Sequence, residues 1–210
     1  MNTGGIAGTN CYLIGDEATR QAVIFDAPDH TVGPLLEQAD QRGLDVIGLW
    51  LTHGHFDHIA DHELVTQRFP NAKVLIHRLD EPKLQNPNST VFVLPFEIPP
   101  RSADGYLDDG QALSLGNLRV EVIHAPGHSP GHVMFHFAQE KVLVGGDLII
   151  CGAVGRTDLP DSDPGQLERS IRRIMTLSPE TRLLPGHCEV TTLGDERASN
   201  LYVQEALRGA

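Results

Sequence analysis

The sequence predicts an α/β fold of two packed sheets with helices on their outer faces. Strand-like segments dominate both halves of the chain, and helical segments alternate with them. The 210 residues suffice for one well-buried core, and no stretch has the composition of a linker. We therefore expect a single domain over residues 1–210.

The first half of the chain predicts a hairpin followed by alternating helices and strands. NCYLIGD and QAVIFDAPD are short apolar runs joined by a turn at residues 17–20. Thr31 is predicted to cap a helix that ends at Gly43, and DVIGLWLT follows as a buried strand. A helix over residues 59–69 and a strand at KVLIH come next. The five prolines of residues 81–109 favour a surface excursion there.

The second half predicts four further strands before its helices begin. These strands are QALSL, LRVEVIH, HVMFHF and KVLVGGD. A helix over residues 164–177, a strand at RLLP and one final helix after Gly194 complete the pattern.

The composition limits which classes of partner and which cellular compartment we expect for the protein. The formal net charge of -12 disfavours nucleic acid and anionic lipid as partners. No apolar stretch approaches the roughly 20 residues needed to span a bilayer, and the amino terminus lacks the pattern of a secretory signal. Three widely spaced cysteines fit reduced thiols better than disulfides. We expect a cytoplasmic protein with a small-molecule substrate, and the oligomeric state stays open.

Four potential metal ligands lie together in LTHGHFDH, directly after a predicted strand. His53 and His55 are separated by one residue, which in an extended chain places both imidazoles on one side. A turn at Gly54 would direct Asp57 and His58 toward a second ion. The alternative is a polar helix start with Asp57 as an ordinary helical acid. Crowding four such groups without an ion would be costly to desolvate, so we favour two metal positions.

Three later motifs each end a strand or form a sharp loop that carries a potential ligand. APGHSPGH presents His128 and His132, of which His128 is the expected ligand and His132 a supporting or structural residue. VLVGGD ends in Asp147, which alternatively is a turn aspartate. RLLPGHCE presents His187, which alternatively is a loop histidine. The four motifs together are far more specific than any one of them.

In this order, HxHxDH, PGHSPGH, GGD and PGH resemble the metallo-β-lactamase superfamily across nearly the whole chain. The resemblance implies a four-layer αββα sandwich with two mixed sheets. It also implies a site for two divalent metal ions, with zinc expected first and iron or manganese as alternatives. The implied ligands are His53, His55 and His128 for the first ion, Asp57, His58 and His187 for the second, and Asp147 as a bridge between them.

Within that superfamily, residues 145–160 and the string LLPGHCEVTTLGDER resemble the single-domain type II glyoxalases, which are hydroxyacylglutathione hydrolase-like thioesterases. The resemblance implies hydrolysis of S-lactoylglutathione-type thioesters by a metal-bridging hydroxide, which Asp57 and Asp147 would orient as catalytic residues. It also implies that Arg156 binds the glutathione moiety. A structural ion pair of Arg156 with Asp158 or Asp161 is the alternative.

Other activities stay open at this point. The persulfide dioxygenases also resemble this chain and would use one Fe(II) held by His53, His128 and Asp147. The complete second set of ligands favours the dinuclear hydrolase. β-Lactam hydrolysis, phosphodiester hydrolysis and a sensor domain without turnover are weaker alternatives. Cys188, beside His187, is expected to be a packed bystander.

Overall fold

The computed structural model describes residues 1–209, which form two compact units. Unit 1 comprises Met1–Leu107 and Ser114–Leu118, and unit 2 comprises Asp108–Leu113 and the chain from Arg119 onward. Each unit has a hydrophobic core of its own. The expectation that the whole chain is one domain stays a prediction. Within residues 1–209, no helix combines the length and apolar character that crossing a membrane requires.

The sheet of unit 1 has six strands that lie in chain order from one edge to the other. The first three strands are antiparallel neighbours and the remaining pairs are parallel, so the sheet is mixed. The predicted hairpin is confirmed, since Tyr12 pairs with Phe25. The strands are β1 (Asn2–Gly4), β2 (Thr9–Gly15), β3 (Gln21–Phe25), β4 (Asp45–Trp50), β5 (Lys73–Ile76) and β6 (Gly105–Tyr106).

Four helices belong to unit 1, and the first begins differently from the prediction. Helix α1 follows Val32, and the Thr31 hydroxyl donates to the Asp29 carbonyl at 2.8 Å. The prediction that Thr31 caps this helix is therefore wrong, because its hydroxyl is engaged by the preceding turn. The helices are α1 (Gly33–Gln41), α2 (Phe56–Ile59), α3 (His62–Arg68) and α4 (Glu81–Gln85).

The single helix predicted over residues 59–69 is wrong, because the structure has α2 and α3 with a break between them. The cause is a contact from outside the segment. The Asp61 N–H donates to the Ala27 carbonyl at 2.8 Å, and the Ala27 N–H donates to the His58 carbonyl at 2.8 Å. The chain that leaves β3 thus takes the hydrogen bonds that would have continued the helix.

Residues 81–109 are more ordered than a surface excursion. They begin with α4, whose first turn contains Pro82, and they end with β6 beside β5. Ile98 and Leu107 are also buried, at 1% and 0% exposed. The other four prolines therefore mark the irregular middle of the segment, while Pro82 is accommodated at the start of α4.

The second six-stranded sheet is also mixed. Its order is β14, β13, β10, β9, β8 and β7, with β10 and β13 parallel and the β8–β9, β9–β10 and β13–β14 pairs antiparallel. Its strands are β7 (Ala112–Leu115), β8 (Leu118–His124), β9 (Val133–Phe137), β10 (Val142–Gly146), β13 (Arg182–Pro185) and β14 (Thr191–Thr192), and a small hairpin is formed by β11 (Ile149–Ile150) and β12 (Ala153–Val154). The predicted α/β class with two mixed sheets and helices is confirmed.

Unit 2 ends in two helices where the sequence predicted one. Its helices are α5 (Pro164–Ile174), α6 (Leu193–Ser199) and α7 (Leu201–Arg208). Asn200 separates the last two with an extended backbone, and its side-chain oxygen accepts from the N–H groups of Tyr202 and Val203. An asparagine that caps a new helix explains the break.

Candidate functional site

The HxHxDH motif forms a compact group of potential metal ligands in unit 1, which we call the unit 1 cluster: His53, His55, Asp57 and His58. It lies where β4 has ended and α2 begins. His53 and His58 are fully buried and Asp57 is 8% exposed. A ligand atom of His53 lies within 4.8 Å of a ligand atom of His55, and also within 4.8 Å of one of His58. The ligand atoms of Asp57 and His58 lie within 4.8 Å of each other as well.

The Asp26 carboxylate orients two histidines of this cluster. Its Oδ2 lies 2.9 Å from Nδ1 of His58 and accepts the Thr52 hydroxyl at 2.8 Å. The same Thr52 oxygen lies 3.0 Å from Nδ1 of His53. Because the Thr52 proton goes to Asp26, its oxygen accepts from His53. Both rings therefore carry their proton on Nδ1 and keep the Nε2 lone pair for an ion.

Strand pairing explains why Asp26 reaches this position. Asp26 directly follows β3, and Thr52 comes two residues after β4. These strands are parallel, so their carboxyl ends lie at the same edge of the sheet. The Thr52 N–H then donates to Oδ1 of Asp26 at 2.7 Å. The backbone of Asp26 has a φ of 59°, in the left-handed region that residues other than glycine rarely adopt.

Two further contacts hold the motif from either side. The Thr9 hydroxyl, at the start of β2, donates to Oδ2 of Asp57 at 2.8 Å. The Gly54 N–H donates at 2.7 Å to Asp80, a fully buried carboxylate that also pairs with Lys83 at 3.1 Å. A Cβ on Gly54 would lie 2.8 Å from the Asp80 carbonyl oxygen, so the residue must be glycine for the loop to pack this closely.

The later motifs form a second group, in unit 2, which we call the unit 2 cluster: His128, Asp147 and His187. The Asp147 Oδ2 lies 3.5 Å from Nε2 of His128 and 3.2 Å from Nε2 of His187. Asp147 follows β10 and His187 comes two residues after β13, and these strands are parallel. The Gly186 N–H donates to the Gly146 carbonyl at 2.7 Å, which aligns the two strand ends.

The His128 ring is oriented by the chain that follows β12. Its Nδ1 lies 2.9 Å from the Arg156 carbonyl oxygen, which can only accept, so Nδ1 carries the proton and Nε2 has the lone pair. The Ser162 hydroxyl donates to the His128 carbonyl at 2.8 Å. Gly155 permits this approach, because a Cβ there would overlap the Asp147 carbonyl oxygen and lie 3.0 Å from Cγ of the His128 ring.

His132 contacts the backbone of the unit 2 cluster at Asp147. Its Nε2 accepts the backbone N–H of Asp147 at 2.9 Å, and the residue is fully buried. That nitrogen is therefore engaged in positioning Asp147. The structure agrees with the supporting role predicted for His132.

The spacing within each cluster fits metal coordination. Two ligand atoms on one tetrahedral ion, with bonds of about 2.0–2.1 Å, lie roughly 3.3 Å apart. The Asp147 separations of 3.2 and 3.5 Å are close to that value, as is the 3.5 Å between Oδ2 of Asp57 and Nε2 of His58. Imidazole and carboxylate groups are suitable ligands for divalent metal ions, so both clusters have the chemistry of a metal site.

The Arg156 side chain pairs with Asp158 in this structure. Its Nε and one terminal nitrogen contact the two carboxylate oxygens at 2.6 and 2.7 Å, and this pairing lowers the pKa of Asp158. Both side chains are more than half exposed, and such pairs add little stability. The ion-pair alternative is thus realised with Asp158, while substrate binding by Arg156 stays a prediction.

Cys188 is exposed, with a φ of 64°, so the prediction of a packed residue is wrong. The reason is that Cys188 lies in the connection that reverses the chain between β13 and β14, outside both strands.

Sequence reasoning missed the residues that orient the ligands. Asp26 lies 32 residues from His58 and Thr9 lies 48 residues from Asp57, while Asp80 lies 26 residues from Gly54 in the ligand loop. Thr52 directly precedes His53 but contains no pattern that marks it as a ligand partner. One signal was available for Asp26. QAVIFD is an apolar strand that ends in an aspartate, the same pattern that identified Asp147 in VLVGGD.

The chain is similar to known proteins along most of its length. The sequence model of the metallo-beta-lactamase superfamily matches residues 4–187. A Haemophilus influenzae protein named hydroxyacylglutathione hydrolase GloC is 32% identical over 205 residues, and the match covers 92% of each chain.

Three solved structures have a similar fold. BLEG-1, described as a B3 metallo-beta-lactamase, has a TM-score of 0.87 at 31% identity, and the match covers 97% of this chain and 98% of that one. TTHA1623 in a di-iron-bound form has a TM-score of 0.84 at 34% identity, covering 95% and 98%. ETHE1 from Myxococcus xanthus has a TM-score of 0.77 at 27% identity, covering 98% and 85%.

Proposed function

Since the chain belongs to the metallo-beta-lactamase superfamily, a family of metal-dependent hydrolases, we propose that it is a dinuclear thioester hydrolase in which the two clusters together hold the metal ions. The observation that carries the proposal is that three imidazole–carboxylate pairs, Asp57–His58, His128–Asp147 and Asp147–His187, have ligand atoms 3.2–3.5 Å apart, the spacing of two ligands on one ion. The proposed ligands are His53, His55 and His128 for one ion, Asp57, His58 and His187 for the other, and Asp147 for both.

The protein's own contacts suit it to hold such ions. Three histidines (His53, His58 and His128) have Nδ1 engaged by protein oxygens, which leaves Nε2 as the ligand atom. Each partner fixes its ring, and the carboxylate beside His58 and the carbonyl beside His128 also raise the basicity of theirs. Divalent ions bound there would lower the pKa of a coordinated water and polarise a substrate carbonyl.

The two aspartates would orient the attacking water. Asp57 is fixed by the Thr9 hydroxyl, and the backbone of Asp147 is fixed by His132. With Asp57 held through its side chain and Asp147 through its backbone, both carboxylates would be positioned before the substrate binds, and pre-ordered groups of this kind lower the entropic part of the barrier. A thiolate can depart without prior protonation, because its conjugate acid has a pKa of about 8.5. The chain therefore needs no strong general acid for thioester cleavage.

A glutathione thioester is the proposed substrate. The relative named hydroxyacylglutathione hydrolase supports this choice, since it is 32% identical across nearly the whole chain. Arg156 is the proposed contact for a glutathione carboxylate, since a guanidinium can donate two parallel hydrogen bonds to such a group. Its exposed partner Asp158 would be exchanged for the substrate carboxylate.

Several metals suit the proposed ligands. Histidine and aspartate ligands accept zinc, iron and manganese, and metal supply often decides which one is bound. The di-iron form of TTHA1623, a protein of similar fold and 34% identity, supports a capacity for two metal ions. Zinc stays our first expectation, with iron as the alternative to test beside it.

The experiment that tests the proposed function compares three substrates on the protein loaded with zinc or with iron. We expect hydrolysis of S-D-lactoylglutathione, and we expect the His55→Ala variant to lose at least about 100-fold in kcat/KM because a ligand is missing. The exposed histidine variant His30→Asn is the control and should keep wild-type turnover. Oxygen uptake on glutathione persulfide, or β-lactam cleavage without thioester hydrolysis, would contradict the proposal.

A further inference from the structure

A loop beside the unit 1 cluster exposes three consecutive apolar side chains. We call residues 89–97, between α4 and β6, the tip loop. Val91 is 65% exposed, Phe92 41% and Val93 100%. Single exposed apolar residues are ordinary on a protein surface, but a contiguous exposed group marks a place where something binds.

The two ends of the tip loop are fastened to each other. The Asn88 side chain donates to the Ile98 carbonyl at 2.9 Å and accepts the Ile98 N–H at 2.9 Å. Ile98 is buried, and the next carbonyl, of Pro99, accepts from Nε2 of the buried His62 at 2.8 Å. Closing the loop at its base in this way reduces the conformational freedom that its tip would lose on binding.

The tip also reaches the metal-ligand motif. The Phe92 ring packs on the Phe56 ring with centroids 5.6 Å apart and an interplanar angle of 59°. Phe56 is the first residue of α2 and stands between the ligands His55 and Asp57. The exposed apolar surface is therefore continuous with the side chain at the centre of the HGHFDH motif.

We infer that the tip loop binds the apolar part of the substrate's acyl group, so that the enzyme prefers thioesters with an aliphatic acyl chain over the small, polar hydroxyacyl group. This inference rests on the proposed function for its substrate class. Phe56 and Phe92 form the inner part of the contact, and Val91 and Val93 extend it outward. Apolar area removed from water at this surface stabilises the bound chain.

The test uses ligands that bind a metal centre but are not hydrolysed. Binding of acetohydroxamate and hexanohydroxamate to the metal-loaded protein is measured by calorimetry, for the wild type and for a Phe92→Ser, Val93→Ser double variant. Leu64→Gln, which replaces an exposed apolar residue on α3, is the matched control. Burial of two of the extra methylenes would make hexanohydroxamate about tenfold tighter in the wild type.

The inference predicts that this preference falls below about threefold in the double variant and stays at about tenfold in Leu64→Gln. It is overturned if the wild type shows no chain-length preference, if the double variant keeps it, or if neither hydroxamate binds. Self-association of the wild type that the double variant abolishes, without a chain-length preference, would assign the tip to a second copy of the chain and also overturn it. Loss of thioester turnover with the preference intact would remove the proposed function and leave the tip contact standing.

Discussion

A single buried carboxylate, Asp26, orients two of the histidines that we propose as metal ligands. It contacts His58 directly and His53 through the Thr52 hydroxyl. The left-handed backbone of Asp26 costs on the order of 1 kcal/mol, so the surrounding hydrogen bonds must hold it there. Strain of this kind is expected where a side chain must be aimed at a functional group.

Replacing Asp26 with asparagine should weaken metal binding while leaving the volume of the core unchanged. An amide cannot accept from His58 and Thr52 with the strength of a carboxylate, so both rings lose orientation and basicity. We expect metal affinity to fall by about 10- to 100-fold, measured by competition with a chelator.

The matched control is Asp16→Asn, which alters another largely buried aspartate of unit 1. Asp16 accepts from the backbone and side chain of Asn117 and contacts no member of the unit 1 cluster in the hydrogen bonds described for it. Equal metal affinity in Asp26→Asn and the wild type would contradict the positioning role of Asp26.

His62 should make stability depend on pH. Burial lowers the pKa of His62 below its usual value of 6.5. As the pH falls through 6.5, the unfolded chain therefore binds more protons at this residue than the folded chain, and the free energy of unfolding decreases. The contribution of His62 is complete above that pH and is lost below it.

The His62→Gln variant should show a smaller decrease in the free energy of unfolding between pH 7.5 and pH 5.5 than the wild type. Glutamine can still donate to the Pro99 carbonyl but does not titrate. Denaturant titrations of both proteins at several pH values measure the difference. The same pH slope in His62→Gln and the wild type would show that His62 does not titrate as proposed.

At the residue scale, the sequence predicted the candidate ligands but not what orients them. His53, Asp147 and the others stand in motifs whose spacing is visible in the chain. The role of Asp80 depends on α4 lying against the Gly54 loop, and the role of Thr52 depends on β3 and β4 being neighbours. Such contacts exist only after the sheet has formed, so a linear pattern does not contain them.

At the scale of elements, the loop after β4 is pressed against α4 at Gly54. A Cβ there would lie 2.8 Å from the Asp80 carbonyl oxygen and 2.9 Å from Cβ of Lys83. Neither atom is the end of a flexible side chain, so the loop that carries His53 and His55 would have to move.

Gly54→Ala should therefore destabilise the protein by about 1–3 kcal/mol, as overpacking commonly does, and should weaken metal binding. Gly33→Ala is the matched control, because a Cβ on Gly33, the first residue of α1, meets no atom within 4 Å. We expect that control to be neutral or slightly stabilising. Thermal unfolding and metal titration distinguish the two, and a neutral Gly54→Ala would contradict this packing.

The elements that sequence predicted well are those whose own residues determine them. The long strands and α5 have clear apolar periodicity, so their positions were predicted closely. The breaks before His62 and at Asn200 were missed, since Ala27 causes the first and a local cap the second. Strands of two or three residues, such as β1 and β14, are too short for a periodic pattern and owe their existence to their neighbours.

At the scale of the whole molecule, the proposed ligands come from both units. Unit 1 provides four of them and unit 2 provides three, and each set is fixed by hydrogen bonds within its own unit. A pair of ions held by both sets would bind the folded chain far better than the unfolded one.

Metal loading should therefore raise the midpoint of thermal unfolding. Free metal at 1,000 times its dissociation constant adds about 4 kcal/mol to the free energy of unfolding. Scanning calorimetry with and without a chelator measures the shift, which should be smaller in His187→Ala. A midpoint that does not respond to metal would contradict binding to the folded state.

Metal content per chain tests the central claim most directly, when it is measured for the wild type and for one ligand variant from each cluster. We predict two ions per wild-type chain, and we predict that His58→Ala in unit 1 and His187→Ala in unit 2 each lower that number and abolish hydrolysis of S-D-lactoylglutathione. Two ions retained in both variants, or one iron per wild-type chain with full turnover, would contradict a dinuclear centre built from these residues.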